Sequence, residues 1–115
     1  NAPKKGAGVF IVYELKNGRV TMVYIGSAGK ISRDGKKKTG KDGLYGSLVN
    51  GMQFDKPRWI SWKEKLEEEK IDALDVYWCE TFDKNNADIP ATIEALMMQK
   101  YYDIYGELPK WNEDF

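Results

Sequence analysis

Apolar positions along the chain change their spacing repeatedly, and those changes lay out the elements. Two short apolar runs, Gly8 to Leu15 and Val20 to Gly26, flank Lys16-Asn17-Gly18-Arg19. An Asn-Gly step between such runs predicts a β-hairpin, because both residues accept the positive φ of a tight turn between twisted strands. Two registers fit. A two-residue Asn17-Gly18 turn pairs Lys16 with Arg19 and sets Tyr13 and Tyr24 on one face with Phe10 on the other. A three-residue Lys16-Asn17-Gly18 loop pairs Leu15 with Arg19 and puts Phe10 opposite Tyr24. Ser27 to Asp42 has no hydrophobic period and is rich in Gly, Lys and Ser, so it reads as a long loop. Gly43 to Val49 reads as a short helix, with Leu44 and Leu48 one turn apart on its inward side and Gly51 ending it.

Pro57-Arg58 is a break, after which Trp59, Trp62 and Leu66 recur at helical spacing through Ile60 to Lys70. Ser61 is an alternative cap for that helix, with Glu64 completing a capping box. Ala73 to Phe82 alternates as a strand, and apolar residues on both of its sides predict an inner position in a small sheet, with Cys79 a buried, inert thiol. Asp83 to Asp88 is a polar loop. Pro90 suits the first turn of a last helix, Ile89 to Tyr105, capped by Asp88 and closed by Gly106. Ile89, Ile93, Leu96, Met97, Tyr101, Ile104 and Tyr105 give that helix one apolar stripe. Glu94 projects within the stripe, and a carboxylate there is costly unless it is paired, hydrogen-bonded or bound to a cation.

Composition narrows the chemistry. At 115 residues the chain fits one domain, taken as residues 3–115 with Asn1-Ala2 set aside as an expression remnant, and it is large enough for a core without staples. Cys79 is the only cysteine and there is no histidine, so neither a disulfide framework nor a Cys/His metal cluster is available. Any chemistry therefore runs on Tyr, Lys, Arg, Glu and Asp. No apolar run is long enough to cross a bilayer and no signal peptide is recognisable, which predicts a cytoplasmic protein. Net charge is zero, yet between Lys30 and Lys41 the basic residues Lys30, Arg33, Lys36, Lys37, Lys38 and Lys41 face only Asp34. Such segregation suits a polyanionic partner, and a solvated lysine loop is the plain alternative.

Together, Gly8-Val9-Phe10, Tyr24-Ile25-Gly26-Ser27, the short helix, the third strand, the inward Glu94 and the later Asn112 resemble the GIY-YIG endonuclease domain over almost the whole chain. The resemblance implies an α+β fold, a small three-stranded antiparallel sheet flanked by helices in the order β-β-α-α-β-α. It also implies DNA as partner, with phosphodiester hydrolysis assisted by one divalent metal, Mg²⁺ or Mn²⁺. Glu94 matches the metal ligand, Tyr24 the tyrosine that helps activate water, Gly26 the glycine of close backbone approach, and Asn112 a recurrent asparagine. The chain departs from the family at Phe10, where the first motif carries tyrosine, so Tyr13 is a second candidate hydroxyl. It departs again at the arginine: Arg33 lies at the expected count from Tyr24, Ser47 occupies the matching helical position if the basic loop is an insertion, and Arg58 is a further cation able to fold back. The family's histidine is missing as well.

Overall fold

A hairpin fixes the centre of the molecule. The computed structural model of the chain describes residues 6–38 and 43–115, so Asn1-Ala2 and Lys41 lie outside the described residues. Strands β1 (Gly8–Lys16) and β2 (Arg19–Ala28) meet at Asn17-Gly18, whose φ values of 53° and 75° are those of the twisted turn the sequence calls for. The turn pairs Lys16 with Arg19 and the register runs on to Tyr13 opposite Met22; a bulge between Val12 and Tyr13 then shifts it, and Val12 faces Tyr24 while Phe10 faces Gly26. Neither expected register holds along the whole hairpin. Because side chains alternate along a strand, the extra residue separates Tyr13 and Tyr24 onto opposite faces.

The third strand of the sheet, Ala73–Glu80, pairs antiparallel with β1, which is thus the central strand. The expectation of an inner position for this strand is corrected: it is an edge. Its Leu74 and Val76 pack on the core, whereas Tyr77 is 60% exposed and Cys79 is exposed, so the predicted buried thiol is a surface one. Apolar residues on both sides of the strand signalled two buried faces, but only one face of this strand is covered.

Between the hairpin and that strand the chain forms two small ladders and two helices. Strands β3 (Lys30–Ile31) and β4 (Lys37–Lys38) pair within the expected loop. Helix α1 (Gly43–Asn50) is followed by β5 (Met52–Gln53) and β6 (Lys56–Pro57), which are joined by Phe54 and Asp55. Helix α2 runs Arg58–Glu68, beginning ahead of the predicted Ile60. The Arg58 N–H donates to the Gly51 carbonyl at 2.9 Å, which satisfies the first orphan donor without a side-chain cap. Ser61 is accordingly no cap; it lies within the helix, 1% exposed, with its hydroxyl unpartnered. With the strand Ala73–Glu80 as β7, the last element is α3 (Pro90–Tyr105), with Pro90 at its first turn and Gly106 left-handed at its end. Ile89, not Asp88, holds the N-cap position, and the Asp88 N–H donates to the Thr81 carbonyl at 3.0 Å.

The domain is thus an α+β fold in which helices cover both faces of a three-stranded antiparallel sheet. On one face Phe10, Val12, Leu74 and Val76 form the core with Trp62 and Leu66 of α2 and Leu48 of α1. Phe10, Val12 and Val23 have no exposed surface, and each such side chain withdrawn from water contributes about 1.5–3 kcal/mol. On the other face α3 lies over β2 and β1. Its inward stripe is rotated from the predicted one: Met98 is buried and Ile93 and Met97 half-buried, while Leu96, Ile104 and Tyr105 are exposed.

The C-terminal tail completes the open edge of β2. The Trp111 N–H donates to the Val23 carbonyl at 2.9 Å, and the Asn112 side-chain amide accepts from the Ile25 N–H and donates to the Ile25 carbonyl, each at 3.0 Å. Asn112 thereby stands in for a strand's peptide group. Trp111 is buried against Phe54 and Trp62. Lys110 clamps the same tail, with Nζ 2.7 Å from Glu69 and 3.0 Å from Glu14. Burial pushes the Glu69 carboxyl up, but the hydrogen bond and charge of Lys110, the Trp111 indole and Lys65 carry it net below its ordinary 4.5. Burial pushes Lys110 down, and its bonds to Glu69 and Glu14 carry it net above its ordinary 10.5.

Candidate active site

Tyr24 stands on the core face of β2, because Tyr24, Gly26 and Ala28 alternate with Ile25 and Ser27. Its ring lies 5.9 Å from that of Phe10. Gly26 makes that approach possible: a Cβ there would come within 2.5 Å of the Phe10 ring and 2.9 Å of the Tyr24 ring. The close backbone approach expected of this glycine is therefore a packing of two aromatic side chains over it.

Arg58 is the cation that reaches Tyr24. Because α2 starts at Arg58, its side chain emerges beside the sheet, only 7% exposed. One guanidinium nitrogen donates to the Tyr24 hydroxyl at 3.1 Å and Nε donates to Gln53 Oε1 at 3.0 Å. The guanidinium carbon lies 5.1 Å over the Phe10 ring and 5.4 Å over that of Tyr24, so the buried charge is held by ring faces as well as by hydrogen bonds. Trp62 Nε1 donates to the same Gln53 oxygen at 3.0 Å. These two donors fix the amide orientation of Gln53, whose buried Nε2 has no partner. Gln53 is the residue that sequence reasoning missed, since nothing marks a polar residue within the Gly51 to Pro57 break as buried.

Glu94 is brought to the motif from the other side. Half-buried on α3, its carboxylate accepts a hydrogen bond from the Ser27 hydroxyl. Ser27 projects from the face opposite Tyr24, so Glu94 and the Tyr24–Arg58 pair flank Ile25-Gly26 from the two faces of β2. Hydroxyl and cation therefore lie on one face of the strand and the carboxylate on the other, and strand alternation is the reason.

Tyr13 lies elsewhere. Its ring meets Tyr77 edge-on at 5.5 Å, and it lines a cavity with Met97, Tyr101 and Tyr105 in the second half of α3. Its partner Met22 is several pairs from Ser27, roughly 13 Å along the strand. Tyr13 thus occupies an aromatic packing position remote from Glu94.

The basic residues collect on the β3–β4 ladder. Ser32 and Lys36 close its turn, with the Ser32 N–H donating to the Lys36 carbonyl at 2.9 Å. Asp34 accepts from the Ser32 hydroxyl at 2.6 Å and from the Lys36 N–H at 3.1 Å, and these bonds hold its carboxyl below the ordinary 3.8. Asp34, the one acid between Lys30 and Lys41, is thereby spent on the turn. Lys30, Arg33, Lys36 and Lys37 are exposed, and among the described residues Lys30, Arg33 and Lys36 form no ion pair. Arg33 sits in this exposed turn and makes no bond to Tyr24. Lys38 belongs to β4 by its backbone, and Ser47 to α1.

Chemically, the arrangement offers a hydroxyl oriented by a guanidinium, a carboxylate–hydroxyl pair across the strand, and a cationic ladder following it. No family model, curated protein or solved structure matches the chain.

Proposed function

We propose that the chain is a metal-dependent DNA endonuclease of the GIY-YIG type, hydrolysing phosphodiester bonds in a cytoplasmic setting. The observation that carries the reading is the hydrogen bond from Arg58 to Tyr24, which supplies the motif tyrosine with the guanidinium that the family pattern requires. The element order and the bond between Ser27 and Glu94, beside that motif, support it further.

Hydrolysis of a phosphodiester joins a water oxygen to phosphorus, breaks the bond to the leaving oxygen, and spreads negative charge over the phosphoryl oxygens. Tyr24, its oxygen anchored by Arg58, orients the attacking water, and the nearby guanidinium opposes the charge that develops. The exposed cations of the β3–β4 ladder hold flanking phosphates and set register without reading sequence. Glu94 with the Ser27 hydroxyl presents hard oxygen donors, a set that suits Mg²⁺ or Mn²⁺ retaining several waters. Bound there, such a cation would supply a Lewis acid and positive charge on the face of β2 that carries Glu94 and Ser27.

A second reading, a domain that binds DNA without cutting it, is favoured by the burial of Arg58 and by the hydroxyl-free Phe10. Incubating supercoiled plasmid with Mg²⁺ or Mn²⁺ separates the two. Nicking by the wild-type chain that is lost in Glu94→Ala supports the enzyme. Equal nicking by both would refute the assignment of Glu94. Binding with a steep salt dependence and no nicking would select the second reading.

A further inference from the structure

The second half of α3 leaves part of its apolar stripe uncovered. Ile104 and Tyr105 are exposed there, and a cavity of about 630 Å³ opens between the helix and the hairpin. It is lined by Met22 and Ile25 of β2, Met97 of α3 and the tyrosines Tyr13, Tyr101 and Tyr105. We infer that this wedge holds an unstacked base of a single-stranded nucleic acid, with the adjoining phosphate on Lys100. The inference rests on the nucleic-acid reading above and names the form of substrate that reaches the Glu94 face of β2.

Size, lining and charge each narrow the occupant. The volume falls within the range of about 300–1,000 Å³ typical of small-ligand pockets, which suits one base with its sugar and not a paired, stacked duplex. Tyrosines offer flat ring faces with a polar tip in water, and such faces favour an aromatic ring over an alkyl chain. The Tyr101 and Tyr105 rings lie 4.5 Å apart with 42° between their planes, and Tyr13 is braced edge-on by Tyr77 at 5.5 Å. Among the described lining residues Lys100 alone is charged, and it forms no ion pair with another described residue. Asp103, nearly one turn on, instead accepts from Gln99 at 2.8 Å. The complementary ligand is therefore an aromatic ring joined to an anion, and a nucleotide has that form. An aliphatic acid would leave the ring faces without a stacking partner, and a proline-rich peptide would leave Lys100 without its anion.

Position ties the wedge to the motif. Ile25 and Ser27 lie on the same face of β2, roughly 7 Å apart along the strand, so the wedge adjoins the Ser27–Glu94 pair. On α3, Glu94 and Tyr101 are about two turns, or roughly 10.5 Å, apart. That is the rise of about three stacked nucleotides. The cationic β3–β4 ladder follows the other end of β2, so a strand laid along β2 passes from the ladder by Glu94 to the wedge. Stacking and one phosphate contact carry no base identity. The wedge thus selects unpaired nucleotides over duplex, whatever the base.

Methionine methyl groups report on the wedge directly, because Met22 and Met97 line it while Met52 on β5 does not. Protein carrying ¹³C-methyl methionine is titrated with oligo-dT, with oligo-dT paired to oligo-dA, with a strand of equal length lacking bases, and with octanoate. Oligo-dT should move the Met22 and Met97 methyls upfield through the ring current of the base and leave Met52 in place, whereas the duplex and the base-free strand should move none of them. In fluorescence anisotropy, Tyr101→Leu should weaken oligo-dT binding about fivefold or more and leave the base-free strand unchanged. Lys100→Gln should lower the salt-dependence slope by about one. Oligo-dT binding with Met22 and Met97 unmoved, equal shifts from the duplex, or an equal loss on both strands in Tyr101→Leu overturns the proposal and leaves the nucleic-acid reading standing. Shifts from octanoate and not from oligo-dT would assign the wedge to an aliphatic anion and overturn it as well. If no strand binds at all, the nucleic-acid reading falls and takes the proposal with it.

Discussion

The resemblance marks Asn112 as a recurrent asparagine, and its removal decides how much of the fold hangs on it. In Asn112→Ala the Ile25 N–H and carbonyl each lose a partner at 3.0 Å, on a residue that is 1% exposed. Two net hydrogen bonds at about 1 kcal/mol each, with part of a desolvation penalty for the groups left on the strand edge, give a loss of roughly 2–3 kcal/mol. For a domain whose total stability is on the order of 5–15 kcal/mol this is a large fraction, and it lowers Tm by about 8–15 °C. Urea denaturation should show the midpoint falling with an unchanged slope, and the Ile25 amide should exchange faster with solvent. Asn112→Asp keeps the acceptor for the N–H but cannot donate to the carbonyl, so it should lose at least half as much. A loss below roughly 0.5 kcal/mol in the alanine variant, with exchange at Ile25 unchanged, would refute the claim that Asn112 acts as a surrogate peptide group.

Gly26→Ala places a methyl 2.5 Å from the Phe10 ring and should cost about 1–3 kcal/mol through displaced aromatic packing, read by near-UV circular dichroism and chemical denaturation; a neutral variant would show that the rings yield freely. Trp111→Ala removes a buried side chain touching Phe54 and Trp62 and should cost about 3–5 kcal/mol in denaturant; less than 1 kcal/mol would mean that the tail is not part of the core. The Lys110 clamp predicts a pH signature. Glu69 titrates below its ordinary 4.5 in the folded chain, so its contribution is present above that value and is lost as pH falls through the folded one. Lys110 titrates above its ordinary 10.5, so its contribution is complete below that value and is lost as pH rises through the folded one. The stability gap between wild type and Glu69→Gln should therefore be widest between about pH 5 and pH 10 and close towards acid, and a gap that does not shrink as pH falls below that range would refute the clamp. Arg58→Lys retains charge but cannot hold both Gln53 and Tyr24, and should lose about 1–3 kcal/mol by thermal denaturation; wild-type stability would show that the forked contact contributes nothing.

By itself the sequence determined what depends on neighbours in the chain. Asn17-Gly18 specified the hairpin turn because few residue pairs accept those φ values, Pro90 and Gly106 bounded the last helix, and Glu94 stood out because a carboxylate within an apolar stripe needs a partner. The segregated lysines were equally plain. Only the tertiary structure decided what depends on register and burial. A single bulge at Val12/Tyr13 moved Tyr24 to the face opposite Tyr13, a change invisible in any pattern because one extra residue inverts the alternation beyond it. The burial of Gln53, the reach of Arg58 to Tyr24 and the exposure of Cys79 follow from which elements pack over which face. Ser27 meeting Glu94, with an arginine on the far side of the same strand, is a relation between residues distant in the chain, and packing alone fixes it.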